Sequence, residues 1–262
     1  MPLDDDVRMS PFPRPPKILV LTGPGLSRES GFAPFDAAAM PAGVTIEDVV
    51  TRDSFARDPA KVHGFYNLRR RQLRHEAHPN PAHDGLAALD RARPREVLVV
   101  TRNIDDLLER AGAQAVIHTH GELLKARCTI CMKVSDWFDD LDTADDCPVC
   151  GNNGHLRPHV VWVGEDPLRI DTVYAALATC EAFLSIGNPG GGEPARSMLA
   201  EAKHAGARSI EFAREPNPAS GEFAECGSAG ACGESARSSA RQAKCEYCGD
   251  CAGWAVWRAA EV

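Results

Sequence analysis

The sequence predicts an α/β protein built on a parallel sheet with helices on both faces. Three observations carry this reading. Short apolar runs recur along the chain: Lys17-Ile18-Leu19-Val20-Leu21-Thr22, Glu96-Val97-Leu98-Val99-Val100-Thr101, Ala182-Phe183-Leu184-Ser185-Ile186-Gly187 and Ser209-Ile210-Glu211-Phe212. Helical patterns lie between them at 104–111, 168–179 and 194–205, and strands alternating with helices imply a parallel sheet covered on both sides. Two stretches break the alternation and read as insertions: residues 32–85, polar and helical without strong strands, and residues 122–158, which hold two thiol pairs.

The chain has 262 residues, enough to bury a full α/β core. Apolar residues make up 44% and charged residues 25%, as in globular proteins that dissolve in water. The net charge of −8 argues against nucleic acid as a partner. No run of 18 apolar residues exists to span a membrane. The acidic start Met1-Pro2-Leu3-Asp4-Asp5-Asp6 lacks the apolar core of a secretion signal. Ten cysteines without such a signal point to a reducing, cytoplasmic setting, where spaced thiols favour metal over disulfides.

The proline-rich residues 1–16 are expected to be disordered. The first strand, 17–22, runs into Gly23-Pro24-Gly25, with a helix expected near Ser27. Strand, glycine turn and helix is the layout of a dinucleotide-binding unit. The three-glycine fingerprint is absent, so an ordinary tight turn reads equally well.

The second run ends in Thr101-Arg102-Asn103-Ile104-Asp105, just past the C-terminal end of a strand, where ligands bind in open parallel sheets. Asn103 and Asp105 also suit helix capping, which on their own is the favoured reading. His118 and His120 follow the short apolar run Val116-Ile117, and either has the chemistry of a general base near neutral pH. Arg69-Arg70-Arg71 reads on its own as a solvated helix face.

Cys128-x-x-Cys131, fifteen intervening residues and Cys147-x-x-Cys150 fit a tetrahedral zinc site of ribbon type. Four thiolates close the coordination sphere and leave no position for a reacting water, so the metal's role is structural.

Taken in order, the segments TGPGLSRESGFAPF, TRNIDDLLERAG, VIHTHGELLKARCTIC, CPVCGNNGHLRPHVVWVGE and AKHAGARSIEFAREP resemble the sirtuin family of NAD-dependent protein-lysine deacylases, over about residues 17–225. The class that removes acidic acyl groups is the most similar, through Tyr66 and Arg69 in its Tyr-x-x-Arg pair.

The resemblance implies a Rossmann-type NAD-binding domain (17–31, 86–121 and 159–225), a helical insert with a cofactor loop (32–85) and a zinc ribbon (122–158), the last two forming a small domain. It implies His120 as the catalytic base rather than His118. NAD contacts are implied at Gly23, Gly25, Ser27, Ser30, Arg102, Asn103, Asp105 and Gly187. Tyr66 and Arg69 would hold a succinyl or malonyl carboxylate, and Val161, Trp162, Val163, Gly164 and Glu165 match a strand that pairs with the substrate peptide. Partners would be acylated protein lysines, with the protein a monomer.

The departures from the family fall mostly on the cofactor side. Gly23-Pro24-Gly25 replaces Gly-Ala-Gly, Phe35-Asp36 replaces Phe-Arg, and Arg102 stands where the family has Gln. Asn188-Pro189 replaces Thr-Ser, and Ala213 replaces Asn. Val163 in place of Phe should widen the acyl-lysine tunnel. At roughly 1 kcal/mol each, these losses predict weakened NAD binding, and an impaired sirtuin-like protein that only binds acyl peptide is the alternative function. From Cys226 to Val262 the composition turns to Gly, Ala, Ser, Cys and Arg. That tail suggests either a shifted reading frame in GC-rich DNA or a second thiol cluster of Cys245, Cys248 and Cys251 with Cys232 or Cys226.

Overall fold

The fold is taken from a computed structural model, which describes residues 15–32, 40, 43–188, 193–213, 223 and 225–228. The expected disorder of residues 1–16, the departures at Phe35, Asp36 and Pro189, and both readings of the tail beyond 228 lie largely or wholly outside these residues.

Six parallel strands form the main sheet. They are β1 (Ile18–Thr22), β2 (Val97–Thr101), β3 (Val116–His118), β7 (Ala182–Ile186), β8 (Arg208–Ala213) and β9 (Glu225–Ser228), in the order β3-β2-β1-β7-β8-β9. The four expected strands are all present. β3 and β9 are additions that their short, weakly apolar sequences did not announce.

Every residue of β1 is buried, and alternate residues serve opposite faces. Ile18 and Val20 join a core with Leu86, Ala87, Leu89 and Leu108. Leu19 and Leu21 join another with Val173, Leu177, Met198 and Leu199. Two-sided burial explains why the strands read as unbroken apolar runs rather than alternating ones.

The first core takes its helical side from α4 (Pro81–Ala92) and α5 (Leu107–Ala111), the second from α6 (Ile170–Leu177) and α7 (Ala195–His204). The helix expected near Ser27 begins three residues earlier, as α1 (Pro24–Arg28), because proline suits the first helical turn. The helix expected from 104 begins at Leu107, since Asp105 Oδ1 accepts from Leu107 N (3.2 Å) and holds the preceding residues out of the helix.

The expected boundary at 85/86 falls inside α4. Asn80 caps this helix in a reciprocal box with His83, Pro81 opens it, and Leu86, Ala87 and Leu89 bind it to the sheet. The expected boundary at 225/226 likewise falls inside β9, which pairs with β8.

The insert proper consists of α2 (Arg52–Arg57) and α3 (Pro59–His75). Its core, with Val62, Phe65, Tyr66 and Leu73, is shared with Ile104, Leu107, Leu123 and Trp162. The thiol-bearing module is a three-stranded antiparallel sheet, β5 (Val134–Asp136), β4 (Gly121–Cys128) and β6 (Leu156–Val160), in the order β5-β4-β6. Asn67 on α3 pairs with Leu141 through both polar atoms of its amide (3.0 and 2.9 Å), and Arg70 Nε donates to Leu123 O (3.2 Å). These bonds tie the helical insert to the thiol module.

Candidate active site and metal centre

The sheet reverses its winding between β1 and β7, since β2 and β3 lie on one side of β1 and β7, β8 and β9 on the other. Ligands bind at such a point, beyond the carboxyl ends of the strands. A cleft of about 440 Å³ opens there. Pro24 and Ser27 line it after β1, Arg102, Asn103 and Asp105 after β2, and His120 after β3. Tyr66 and the segment from Val160 to Glu165 form the facing wall.

The two histidines separate by their partners. His118 Nδ1 lies 3.0 Å from Asn103 O and its Nε2 lies 2.8 Å from Glu109 Oε1. A carbonyl and a carboxylate only accept, so both ring nitrogens carry protons. Burial opposes that charge, but the Glu109 hydrogen bond and its charge outweigh the burial and raise the His118 pKa. An imidazolium held on both sides is no base.

His120 differs. Its Nδ1 lies 3.1 Å from the Thr119 hydroxyl, which also lies 3.1 Å from Thr101 O. A hydroxyl has one proton. With that proton on the Thr101 carbonyl, Thr119 Oγ1 accepts from His120 Nδ1–H, and Nε2 carries the lone pair on the cleft side. Burial and, secondarily, the Arg102 charge lower the His120 pKa to about 4, which keeps the ring neutral at pH 7.

Asn103 and Asp105 both line the cleft, and only Asp105 also bonds the first turn of α5. Asn103 N donates to Thr101 Oγ1 (3.0 Å), and its side-chain Nδ2 donates to Ser27 Oγ (2.9 Å). Asp105 is 4% exposed; Oδ1 accepts from Leu107 N, the Ser27 side chain also donates to the carboxylate, and Oδ2 is enclosed without a close hydrogen bond of its own. Burial raises its pKa. An enclosed carboxylate oxygen without a close hydrogen bond gains free energy when a ligand donates to it. This end of the cleft therefore fits the carboxamide and ribose hydroxyls of a nicotinamide dinucleotide.

The glycine turn presents a different face. Gly25 N donates to Gly187 O (2.9 Å), Gly23 N to Ile186 O (3.0 Å) and Leu26 N to Gly23 O (3.0 Å). A Cβ on Gly25 would stand 2.8 Å from Gly187 O. On Gly187, whose φ is +64°, a Cβ would stand 2.5 Å from Leu26 N. These glycines allow two backbones to touch, and neither they nor Gly23 line the cleft. Ser30, buried, also stands away from it.

On the facing wall, Val161, Trp162, Val163, Gly164 and Glu165 form a turn rather than the expected strand. Glu165 N donates to Trp162 O (2.9 Å), and Gly164 has φ +85°. Val161 N is held by His120 O and Val163 N by Val50 O, each at 2.9 Å. The Glu165 carboxylate accepts from Trp162 N (2.9 Å), Arg157 Nη1 (2.7 Å) and Arg52 Nε (2.7 Å), and these bonds draw its pKa to about 2 against its burial. Glu165 thus braces the wall of which it is part.

Tyr66 is 1% exposed, and its hydroxyl accepts from Trp162 Nε1 (2.9 Å). Arg69 lies one turn along α3, outside the cleft lining, with Nη1 donating to Gln72 Oε1 (2.6 Å) and the guanidinium stacked 4.2 Å from the Phe32 ring centre. Phe32 itself lines the cleft. Sequence reasoning missed Thr119 and the Glu109–His118 pair, whose roles depend on contacts across the fold.

The four thiols converge. Their sulfurs all lie within 4.8 Å of one another, with Cys128–Cys150 and Cys131–Cys147 at 3.8 Å. Tetrahedral zinc with Zn–S bonds of about 2.3 Å requires sulfurs about 3.8 Å apart. Cys128 Sγ accepts from Ile130 N (3.4 Å) and Cys150 Sγ from Asn152 Nδ2 (3.1 Å). The Asn152 side-chain and backbone donors help hold the Cys150 thiol down to about 6. The donor set fits zinc.

Known proteins resemble this chain in sequence and fold. The sequence model of the Sir2 family matches residues 23–192. An Escherichia coli K12 protein called NAD-dependent protein deacylase is 48% identical over 212 residues, 80% of this chain and 76% of that one. A protein of the same name from Pasteurella multocida is 42% identical over 80% of this chain and 91% of its own. A solved Sir2 homologue–NAD complex aligns with a TM-score of 0.72 at 31% identity, covering 80% of this chain and 82% of that one. Sequence agreement across four-fifths of the chain, together with the shared fold, shows that this chain belongs to the Sir2 family.

Proposed function

We propose that the protein removes acyl groups from protein lysines at the expense of NAD, releasing nicotinamide and forming O-acyl-ADP-ribose. The observation that carries this is the placement of His120, its Nδ1 3.1 Å from the Thr119 hydroxyl, in the same cleft as the buried Asp105 carboxylate. The relatives called NAD-dependent protein deacylase and the NAD complex among the solved neighbours point the same way.

NAD, when bound, supplies the ribose carbon that receives the acyl oxygen and releases nicotinamide. Asn103 and Asp105 would hold its carboxamide and ribose end, with Ser27 orienting Asn103. His120 Nε2 would take a proton from a ribose hydroxyl, and Nδ1–H would stay on Thr119 as the ring becomes charged. Zinc would close the four-thiol site and hold β4, β5 and β6 together, away from the reaction.

Acidic acyl groups, succinyl or malonyl, are the substrates that Tyr66 and Arg69 favour. The pair lies at i, i+3 on one face of α3, Tyr66 at the cleft wall and Arg69 behind Phe32. A guanidinium binds a carboxylate with two parallel hydrogen bonds, which methionine cannot make. Zinc-loaded protein is assayed for nicotinamide release with NAD and succinyl-lysine or acetyl-lysine peptide. Arg69→Met should abolish succinyl turnover and spare acetyl turnover. No release from the native protein at millimolar NAD defeats the enzyme reading; equal loss of both activities in Arg69→Met defeats the role of Arg69.

A further inference from the structure

Arg102 is the described cation that the folded chain leaves uncompensated in the cleft. Its guanidinium lines the cleft beside His120, and its Nε is enclosed without a hydrogen-bond partner. Among the described residues its side chain forms no ion pair. The neighbouring cations are engaged: Arg52, Arg127 and Arg157 on Glu165, and Arg69 on Gln72 and Phe32. Removing a guanidinium from water without a counter-charge is unfavourable, so such a group implies an anionic ligand.

Its place suggests which anion. Arg102 N donates to Thr22 O (3.1 Å), and β1 and β2 are in register at Thr22 and Thr101. Arg102 therefore flanks the Gly23-Pro24-Gly25 turn across two adjacent strand ends. A turn at this position ordinarily offers backbone amides to a diphosphate. Here Pro24 has no N–H, and Gly23, Gly25 and Leu26 all donate to carbonyls within the fold. The Asn188 side chain closes the turn from below; its Nδ2 donates to Leu21 O (3.0 Å), and its buried Oδ1, an acceptor, has no partner. The turn shows acceptors where an anion needs donors, and the free guanidinium stands beside it.

We propose that Arg102 is the diphosphate-binding residue of this cleft, taking the part that the closed turn amides do not fill. This rests on the dinucleotide reading of the site. Arg102 carries a full charge and up to five donors, so two phosphates are within its hydrogen-bonding capacity.

The test is equilibrium binding to zinc-loaded protein, with melting temperature and zinc content confirming that each variant is folded. ADP-ribose, inorganic pyrophosphate, succinyl-lysine peptide and acetyl-lysine peptide are titrated in low and high salt against the native chain, Arg102→Gln and Arg102→Lys. Arg102→Gln should weaken ADP-ribose by about tenfold or more, with a flatter salt dependence, and Arg102→Lys should fall between. Affinity for ADP-ribose and pyrophosphate unchanged in Arg102→Gln overturns the proposal. So does a loss confined to the succinyl peptide, which would assign the cation to the acyl carboxylate. Failure of the native chain to bind ADP-ribose sinks the dinucleotide reading instead, and the pyrophosphate titration then decides for Arg102 by itself.

Discussion

His118 and His120 stand two residues apart and differ in what they can do with a proton. The first donates to a carbonyl and a carboxylate; the second donates to a hydroxyl and keeps a lone pair for the cleft. Thr119 is the residue that makes the difference. Thr119→Val removes the acceptor for Nδ1–H and should lower kcat by about tenfold to a hundredfold, at most the lower end of what general-base catalysis contributes, whereas Thr119→Ser should restore it. A ring 15N spectrum checks the tautomer: the native chain should show Nδ1 protonated, and a mixture that is identical in native and valine forms would refute the assignment. The pH dependence follows from the signs. The lowered His120 pKa means the base stays available down to about pH 4, so kcat/KM should not fall through the ordinary histidine range near 6.5. The neutral ring costs stability as pH falls from 6.5 towards 4. The raised His118 pKa works the other way; its stabilisation is complete below 6.5 and is lost as pH rises through the folded value.

At the scale of elements, the cleft wall depends on one carboxylate at its end, Glu165. Glu165 gathers Arg52, Arg157 and the Trp162 amide, and Arg157 stacks 3.4 Å from the Trp162 ring centre while Trp162 donates to Tyr66. Turn, β6 and α3 are thereby braced together. Glu165→Ala leaves Arg157 buried without a counter-charge and should cost about 3 kcal/mol, measured by denaturant unfolding. A loss below about 0.5 kcal/mol would show the network to be dispensable. Because the Glu165 pKa is depressed to about 2, its contribution is present above the ordinary glutamate value near 4.5 and is lost as pH falls through 2. The network was illegible in the sequence, where Glu165 reads as one more acidic residue after a glycine. Its partners come from 113 and 8 residues away.

Across the described residues, two cores cover the faces of the parallel sheet, and a third, shared by α3, β4 and Trp162, reaches the cleft through Phe32, Tyr66 and Trp162. The thiol module adds a fourth, small core of Ala126, Cys128, Leu141, Cys147 and Leu156. Five buried residues are too few to hold three strands without a metal. Chelating zinc should therefore unfold this module and, through Asn67–Leu141 and Arg70–Leu123, loosen α3. The expected signs are one zinc per chain and a fall in melting temperature on the order of 10 °C when it is removed, roughly three to five times the shift a 1 kcal/mol change produces in a domain of this size. An unchanged melting curve after complete zinc removal would contradict the structural role. Among the described residues no helix is long and apolar enough to cross a membrane.

The sequence by itself determined the parallel sheet, the order of its four central strands along the chain, the four metal-binding thiols and the group of residues from which the site is drawn. Those features are written locally: two-sided burial makes a strand apolar throughout, and a metal site needs chelating pairs at short spacing. Only the tertiary structure decided how the two neighbouring histidines differ in their partners, which carboxylate braces the cleft wall, whether the glycine turn is open or closed, and which arginine is left without a counter-charge. Each of those is a matter of partners, and a partner's carbonyl, hydroxyl or carboxylate arrives from a distant part of the chain at a distance that no spacing in the sequence encodes.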